Sequence, residues 1–570
     1  MTRKAFVCAA QIMFLIFAAA VSGTAADKES GTSADTSQEV NQLKVQLADQ
    51  QRQIEELRTA LQKLIAGRQT RTSEDVTPPA NVPAAVPGIP QLGQVASTTP
   101  IVPVAPAASA PLALPTPVAV PQQAMVAESP LQLHIGSATI TPVGFMDFTA
   151  VFRTTNPGSG IGTNFGSIPY NTGATGNIDE FRLSAQNSRV GLRVDANVKG
   201  ANVLGYMESD FLGANPGNVV VTSNSNSMRL RLYWVDVRKD KFELLGGQSW
   251  SMLTPNRRGL SALPGDLFYS QDMDVNYQNG LTWSRQPQFR FIVHPNDKVA
   301  MGLSLEDPEQ YIGGSGGGGL ITLPAAYATP YGTQLNNGNT TLSVPNMHPD
   351  LIAKIAFDPS SRAHLEVAGL FRTFRVYDSL QKTHNTANGF GGSVNFNFEL
   401  AKGFRLISNN YWSDGGGRYI FGLAPDLIVR PNGTLSPIHA GSTVDGFELQ
   451  VKKSLLFAYY GGTLIGRNYA IDTSGASPAF VGYGYSGSSN AQNRVIQEPT
   501  FGWIQTIWRD PRYGALQFIS QYSYLTRDPW ALAKGAPKNA HASMVWLDLR
   551  YTLPGSPPAA DLPALPLKTQ

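Results

Sequence analysis

Between residues 137 and 553 the chain repeats one unit, roughly ten residues of alternating apolar and polar side chains followed by a turn. The run 393–400, SVNFNFEL, shows it plainly. Val394, Phe396, Phe398 and Leu400 hold one parity; Asn395, Asn397 and Glu399 hold the other. On an extended strand those parities are opposite faces. The pattern predicts strands over 140–152, 180–198, 201–213, 228–239, 241–250, 280–294, 297–306, 349–358, 363–375, 388–400, 403–412, 443–453, 455–466, 498–509, 512–525 and 540–553. Such a sheet suits two architectures. A soluble all-β protein turns the apolar face inward, whereas a transmembrane barrel turns it to lipid and wraps the polar face around water.

The connections decide between them. Short turns at 199–200, 239–240, 295–296, 359–361, 401–402, 454 and 510–511 alternate with longer stretches over 153–179, 214–227, 251–279, 307–348, 376–387, 413–442, 467–497 and 526–539. An even number of strands, with short turns at one end and long loops at the other, is the arrangement of bacterial outer-membrane barrels. A soluble sandwich has no reason to sort its loops by end. The expected fold class is therefore all-β, an antiparallel transmembrane barrel of about sixteen strands. An even count puts both ends of the barrel on the short-turn side, which in such proteins is the periplasm. Aromatics near strand ends, among them Phe145, Trp234, Trp250, Trp412, Trp503 and Tyr551, would supply the interfacial girdles.

Composition agrees. Charged residues make up 15% of the chain, against about 25% in ordinary soluble domains. A net charge of +3 gives no reason to expect nucleic acid as a partner. Residues 1–26 read as a signal peptide, with Arg3 and Lys4 ahead of an apolar run and Gly23-Thr24-Ala25-Ala26 at the exit. The single cysteine, Cys8, falls inside it, so the processed chain would hold no disulfide or thiolate metal site. No later stretch reaches the length of apolar residues that a membrane helix needs. Residues 38–66 carry a heptad run, with Val40, Leu47, Ile54 and Leu61 at one seam position and Leu43, Gln50, Leu57 and Leu64 at the other. This predicts a self-associating coiled coil. Residues 67–136 form a Pro/Ala-rich linker, extended and semi-rigid, and 554–570 form a Pro-rich tail.

The chemistry lies on the polar parity. Arg229 and Arg231 oppose Leu230 and Leu232; Arg189 and Arg193 oppose Val190, Leu192 and Val194. Arg285 and Arg290 lie five apart, on opposite faces of a regular strand, unless Pro287 marks a bulge that turns both inward. Arg182 has the wrong parity to join Arg189. Glu208, Asp210 and Asp147 are the acidic candidates. A pore lined by arginines would concentrate anions, and the guanidinium fork suits carboxylate or phosphate. The loop 251–279 carries Arg257, Arg258, Asp266, Asp272 and Asp274. Folded into the barrel, it would narrow the channel between opposed walls of charge. Other patterns carry nothing. Gly313-Gly314-Ser315-Gly316-Gly317 matches a hydrolase elbow outside a strand–helix turn, and Gly482–Gly487 matches a dinucleotide fingerprint without a βαβ unit. The seven histidines are scattered. No catalytic constellation, metal site or cofactor is expected.

Four features together, Ser184-Ala185-Gln186-Asn187-Ser188-Arg189-Val190-Gly191, the pair Arg229/Arg231, Gly247-Gln248-Ser249-Trp250 and the span 285–290, make the chain resemble the DcaP-like family of trimeric outer-membrane porins. The resemblance implies a trimer, sixteen strands per subunit and a basic channel that passes small anions such as dicarboxylates. The alternative, a tether or adhesin, would use the coiled coil and linker on the cell-wall side and the long loops outside. The coiled coil itself is directly testable. A peptide spanning 38–66 should associate and become helical at high concentration; a peptide that stays monomeric and unfolded would contradict the heptad reading.

Overall fold

The computed structural model describes residues 130–554 except 268–269, 315–316 and 339–345. The expected signal peptide, coiled coil and tail lie outside the described residues, as does the linker up to residue 129. The wall strands are β1 (Ala138–Arg153), β2 in two pieces (Glu180–Ser184 and Arg189–Val198), β3 (Ala201–Asp210), β4 (Arg229–Lys239), β5 (Phe242–Trp250), β6 (Arg285–Asn296), β7 (Val299–Glu306) and β8 (Asp350–Ser360). They continue as β9 (Ala363–Asp378), β10 (Thr383–Ala401), β11 (Phe404–Asp414), β12 (His439–Val451), β13 (Ser454–Ile465), β14 (Asn493–Asp510), β15 (Gly514–Pro529) and β16 (Ala540–Thr552). Each pairs antiparallel with the next. β16 returns to β1, from Phe145 opposite Thr552 to Arg153 opposite Met544, so the sheet closes. The sheet holds 18 hydrogen-bonded segments. Two of these are the halves of β2 and one is the short spur Leu133–Ile135 on β1, which leaves the sixteen strands that the alternation predicts.

Period-2 alternation determines which side each residue faces. Met146, Phe148, Val235, Phe289, Leu303, Ile355, Val394 and Leu456 are exposed on the outer face. Asp147, Glu208, Glu306, Lys354, Glu366, Asn395, Asn397, Glu448 and Arg550 are buried on the inner one. Closure matters because hydrocarbon offers no partner to an unpaired strand edge. The short turns use local chemistry. Lys199 and Gly200 adopt φ of 51° and 80°, the primed two-residue hairpin whose twist matches that of its strands.

Several expectations are corrected. The loop expected at 376–387 is a four-residue turn, because β9 and β10 extend to Asp378 and Thr383. The strand expected over 180–198 is interrupted at 185–188. There the Asn187 amide and the Ser188 hydroxyl bond to Asp147 on β1. The interruption resets parity, so Arg182 shares the inward face with Glu180 and Ser184, alongside Val151. A register shift between Glu208 and Ser209 leaves Arg231 in a bulge. Leu232 therefore faces inward and is fully buried, while Leu230 stays outside. Pro287 marks no bulge, because pairing runs unbroken from Phe242 opposite Val293 to Trp250 opposite Arg285.

The facing is testable on β7. Leu303→Arg places a cation in the apolar band and should cost about 2–4 kcal/mol of folding stability. Ser304→Ala, one residue away and inside, removes hydroxyl contacts to Gln288 and Glu306 and should cost about 0.5–1.5 kcal/mol. Unfolding titrations in lipid compare them, and equal losses would contradict the assignment of faces.

Candidate functional site

The connection between β5 and β6, residues 251–284, does not project from the barrel. Almost all of it is buried, and its backbone is bonded to the inner wall strand after strand. The Met252 N–H donates to the Glu306 carboxylate on β7 at 2.7 Å, and the Asn256 N–H to Glu366 on β9 at 3.2 Å. The Gln271 N–H donates to the Tyr459 hydroxyl on β13 at 3.1 Å. The Met273 N–H donates to Gln521 on β15 at 2.6 Å, the Asn279 N–H to Glu498 on β14 at 2.8 Å, and the Thr282 N–H to Asn409 on β11 at 3.0 Å. These strands span more than half the circumference, so the loop lies across the interior. Inward Asp, Glu, Gln and Asn side chains thus serve as partners for an irregular backbone that has left the sheet.

One wall residue must be small for this. A Cβ on Gly461 of β13 would overlap the Asn279 carbonyl oxygen. Gly461 lets the loop rest directly on the wall.

The structure places the five loop charges in three settings. Arg257 is buried and forms a bidentate pair with Glu448 of β12, at 2.9 and 2.6 Å. Asp272 and Asp274 are fully buried. Asp272 accepts from the Ser270 hydroxyl at 2.7 Å. Asp274 accepts from the backbone N–H groups of Thr163 and Asn276 at 3.1 and 2.8 Å. Burial raises the Asp272 carboxyl well above the usual carboxylate range, against the Ser270 bond and with help from the Asp274 charge. Burial raises Asp274 too, opposed by Arg153 and its hydrogen bonds. Arg258 is exposed, and Asp266 is half-buried. These two line a cavity of about 940 Å³ at the short-turn end, together with Asp195, Asp236, Glu243 and Asp358. Arg238 and His294 line the same mouth.

A second inward loop escaped sequence reasoning. Residues 415–438 fold inside, with Tyr419, Ile420, Leu423, Leu427 and Val429 fully buried. Arg372 of β9 bonds both Asp350 and Asp426, at 3.0 and 2.9 Å. The Tyr419 hydroxyl donates to Asp350 at 2.9 Å. The Trp283 N–H donates to the Tyr419 carbonyl at 2.9 Å, which ties this loop to the first. The available signal was an apolar run, Leu427-Ile428-Val429, in a segment that a surface loop would keep polar.

The arginines gather at the loop-side ends of β2 to β6. Arg231 lies between Glu208 (2.7 Å) and Asp210 (3.0 Å). Arg229 pairs with Asp210 at 2.9 Å, and Arg189 approaches Glu208 at 3.5 Å. The Arg285 guanidinium sits 5.5 Å from the centre of the Trp250 ring, and that of Arg231 5.6 Å from the same ring. Four cations thus share two carboxylates. Arg189 and Arg231 are buried; Arg229 and Arg285 retain exposure. Arg193 stands apart, paired with Asp195 at 2.7 Å. Arg290 also stands apart, donating to Gln288 and to the Trp250 carbonyl. Trp250 is fully buried against Tyr277 and Trp283 of the loop, which brings its strand partner Arg285 inside without a bulge. Among the described residues no His, Cys, Asp and Glu are grouped to hold a metal ion.

A closed sixteen-stranded barrel with an apolar outer band and a loop laid across its interior has the porin architecture. No family model and no curated protein matches the chain. Among solved structures the chain is similar in fold to the outer membrane channel DcaP of Acinetobacter baumannii. The TM-score is 0.54 at 17% identity, over 73% of this chain and 97% of that one. The anion-selective porin from Comamonas acidovorans aligns with a TM-score of 0.41 at 10% identity, over 73% and 99% of the two chains. OprB of Pseudomonas putida aligns with a TM-score of 0.38 at 10% identity, over 72% and 94%.

The seat of the loop yields a prediction. Gly461→Val should displace residues 279–280 from the wall with no change in charge. Single-channel steps should become larger or noisier than in the unaltered protein. Unchanged conductance in a folded Gly461→Val barrel would show that the loop does not set the width of the channel.

Proposed function

We propose that this protein is an outer-membrane porin that passes small hydrophilic solutes passively and favours small anions such as dicarboxylates. The observation that carries the reading is the polar interior crossed by the 251–284 loop, with four arginines set against Glu208 and Asp210. In this reading the excess positive charge concentrates anions beside the loop. Arg229 and Arg285, which retain exposure, meet the solute. Arg189 and Arg231 hold the two carboxylates in place. At the short-turn mouth Asp195, Asp236, Glu243 and Asp358 stand with Arg238 and Arg258, and Asp195 is paired with Arg193, so the cation excess of the pore lies at the arginine group. The chain would reside in the outer membrane with the short turns toward the periplasm. The coiled coil of 38–66 would join copies there into the trimer that the resemblance implies, on the linker of 67–136. No catalytic step is assigned, and the solute path needs no cofactor.

The test is the reversal potential across a salt gradient. The unaltered channel should prefer anions. Arg229→Gln with Arg285→Gln should reduce that preference, most strongly at low salt, where the Debye length is about 30 Å at 0.01 M. Arg231 is left alone because its loss would strand two buried carboxylates, a change of about 3–5 kcal/mol. A cation-preferring channel, or an unchanged reversal potential in the double variant, would remove the anion assignment.

A further inference from the structure

His364 is the second residue of β9, and it faces inward and is buried. Both of its ring nitrogens meet carboxylates. Nδ1 lies 2.8 Å from Asp358 of β8, and Nε2 lies 3.2 Å from Glu366 of its own strand. A neutral imidazole has one N–H and one lone pair, so it donates to only one of two acceptors. With both protons it donates to both. The same two carboxylates hold the pore loop. Asp358 accepts from the Gly259 N–H at 3.0 Å, and Glu366 accepts from the Asn256 N–H at 3.2 Å. One side chain thus joins the two acceptors on which residues 256–259 rest.

The surrounding charges balance on the same condition. Lys354 of β8 lies 2.8 Å from Glu366. It also donates to the Thr254 carbonyl and the Asn256 side chain, at 2.9 and 3.0 Å. Opposite His364 on β10 is Asn397, which is bonded to Arg405 of β11 and to the Arg257 carbonyl. Glu399 of β10 turns to Arg362 at 3.6 Å, and the Arg257 side chain turns to Glu448. Arg258 lines the water-filled mouth with Asp358. Lys354 and an imidazolium together match Asp358 and Glu366. A neutral ring leaves one carboxylate in excess, and an uncompensated buried charge is costly. The lone pair of that ring would also face a carboxylate oxygen.

We propose that His364 is a positioning residue for the pore loop: charged, it clamps residues 256–259 to β8 and β9, and on losing a proton it releases them. The sign follows from the bonds. The clamp is complete at mildly acidic pH and is lost as pH rises and the ring gives up its second proton. Release is partial, because Lys354 keeps its bond to the Thr254 carbonyl. The freed stretch carries Arg258, which lines the short-turn mouth, so that mouth becomes mobile in alkali. His294 at the same mouth meets one carboxylate, Glu243 at 2.7 Å, a bond that a neutral ring keeps. The inference rests on the channel reading, and the test separates the two claims.

Full-length protein reconstituted in lipid is followed from about pH 6 to about pH 9.5, above the ordinary carboxylate range and below the midpoints of tyrosine and lysine. Hydrogen exchange of the peptide holding 254–259, corrected for the intrinsic rate at each pH, reads the clamp. Single-channel current reads the pore. The unaltered protein should exchange these amides about tenfold faster at the alkaline end, the factor that one charge-assisted hydrogen bond carries. Its open current should become noisier over the same interval. His364→Gln, which donates from one end only, should show the fast exchange and the noise at every pH. His294→Gln should keep the unaltered profile. Exchange that does not change with pH in the unaltered protein would overturn the clamp, whether or not His364→Gln folds. So would a step that survives His364→Gln, which would assign it to the buried loop carboxylates, or a step lost in His294→Gln. An exchange step with an unchanged current would overturn the positioning of the pore. An exchange step in a protein that gives no current at any pH would leave the clamp standing and remove the channel reading.

Discussion

The structure depends on one constraint: strand edges cannot be left unpaired in hydrocarbon. Closure of β16 onto β1 satisfies it. Once the sheet is closed, the alternation of side chains has a fixed meaning, apolar to lipid and polar to the interior. The inner face must then be occupied by water, by ions or by other chain. Here part of it is occupied by chain, and the inward carboxylates and amides serve two purposes. They keep the wall polar, and they receive the backbone N–H groups of the 251–284 loop.

That double use explains the charge pattern. A buried charge persists when it is paired and hydrogen-bonded, and most inward charges meet this condition. Arg257 is matched by Glu448, Arg372 by Asp350 and Asp426, Arg550 by Asp147, and Lys354 by Glu366 at 2.8 Å. These pairs hold loops and strands in place. The group at Arg189, Arg229, Arg231 and Arg285 differs because cations outnumber carboxylates there. At the short-turn mouth carboxylates stand beside Arg238 and Arg258, and Asp195 is paired with Arg193.

Much of the wall was legible in the sequence because period 2 is a strong signal and strand turns are local. Asn395, Asn397 and Glu399 lie inside, as their parity required. The misreadings arise where one residue of slip changes the face. The interruption at 185–188 reversed the reading of Arg182, and the bulge opposite Glu208 reversed that of Leu232. The destinations of loops were partly legible. The charged 251–279 segment read as an inward loop, but of its charges Arg257 pairs with Glu448 of the wall while Asp272 and Asp274 are buried in bonds between loop segments, which only the strand register of the far side could show. The inward course of 415–438 depends on Arg372 and Asp350 of distant strands.

The most direct test of the account is the conductance of the purified, unaltered protein in a planar lipid bilayer. A closed barrel with a polar interior narrowed by an inward loop should give steady, discrete open steps at constant voltage. Insertion with no conductance steps would contradict a channel and show that the inward loops seal the barrel.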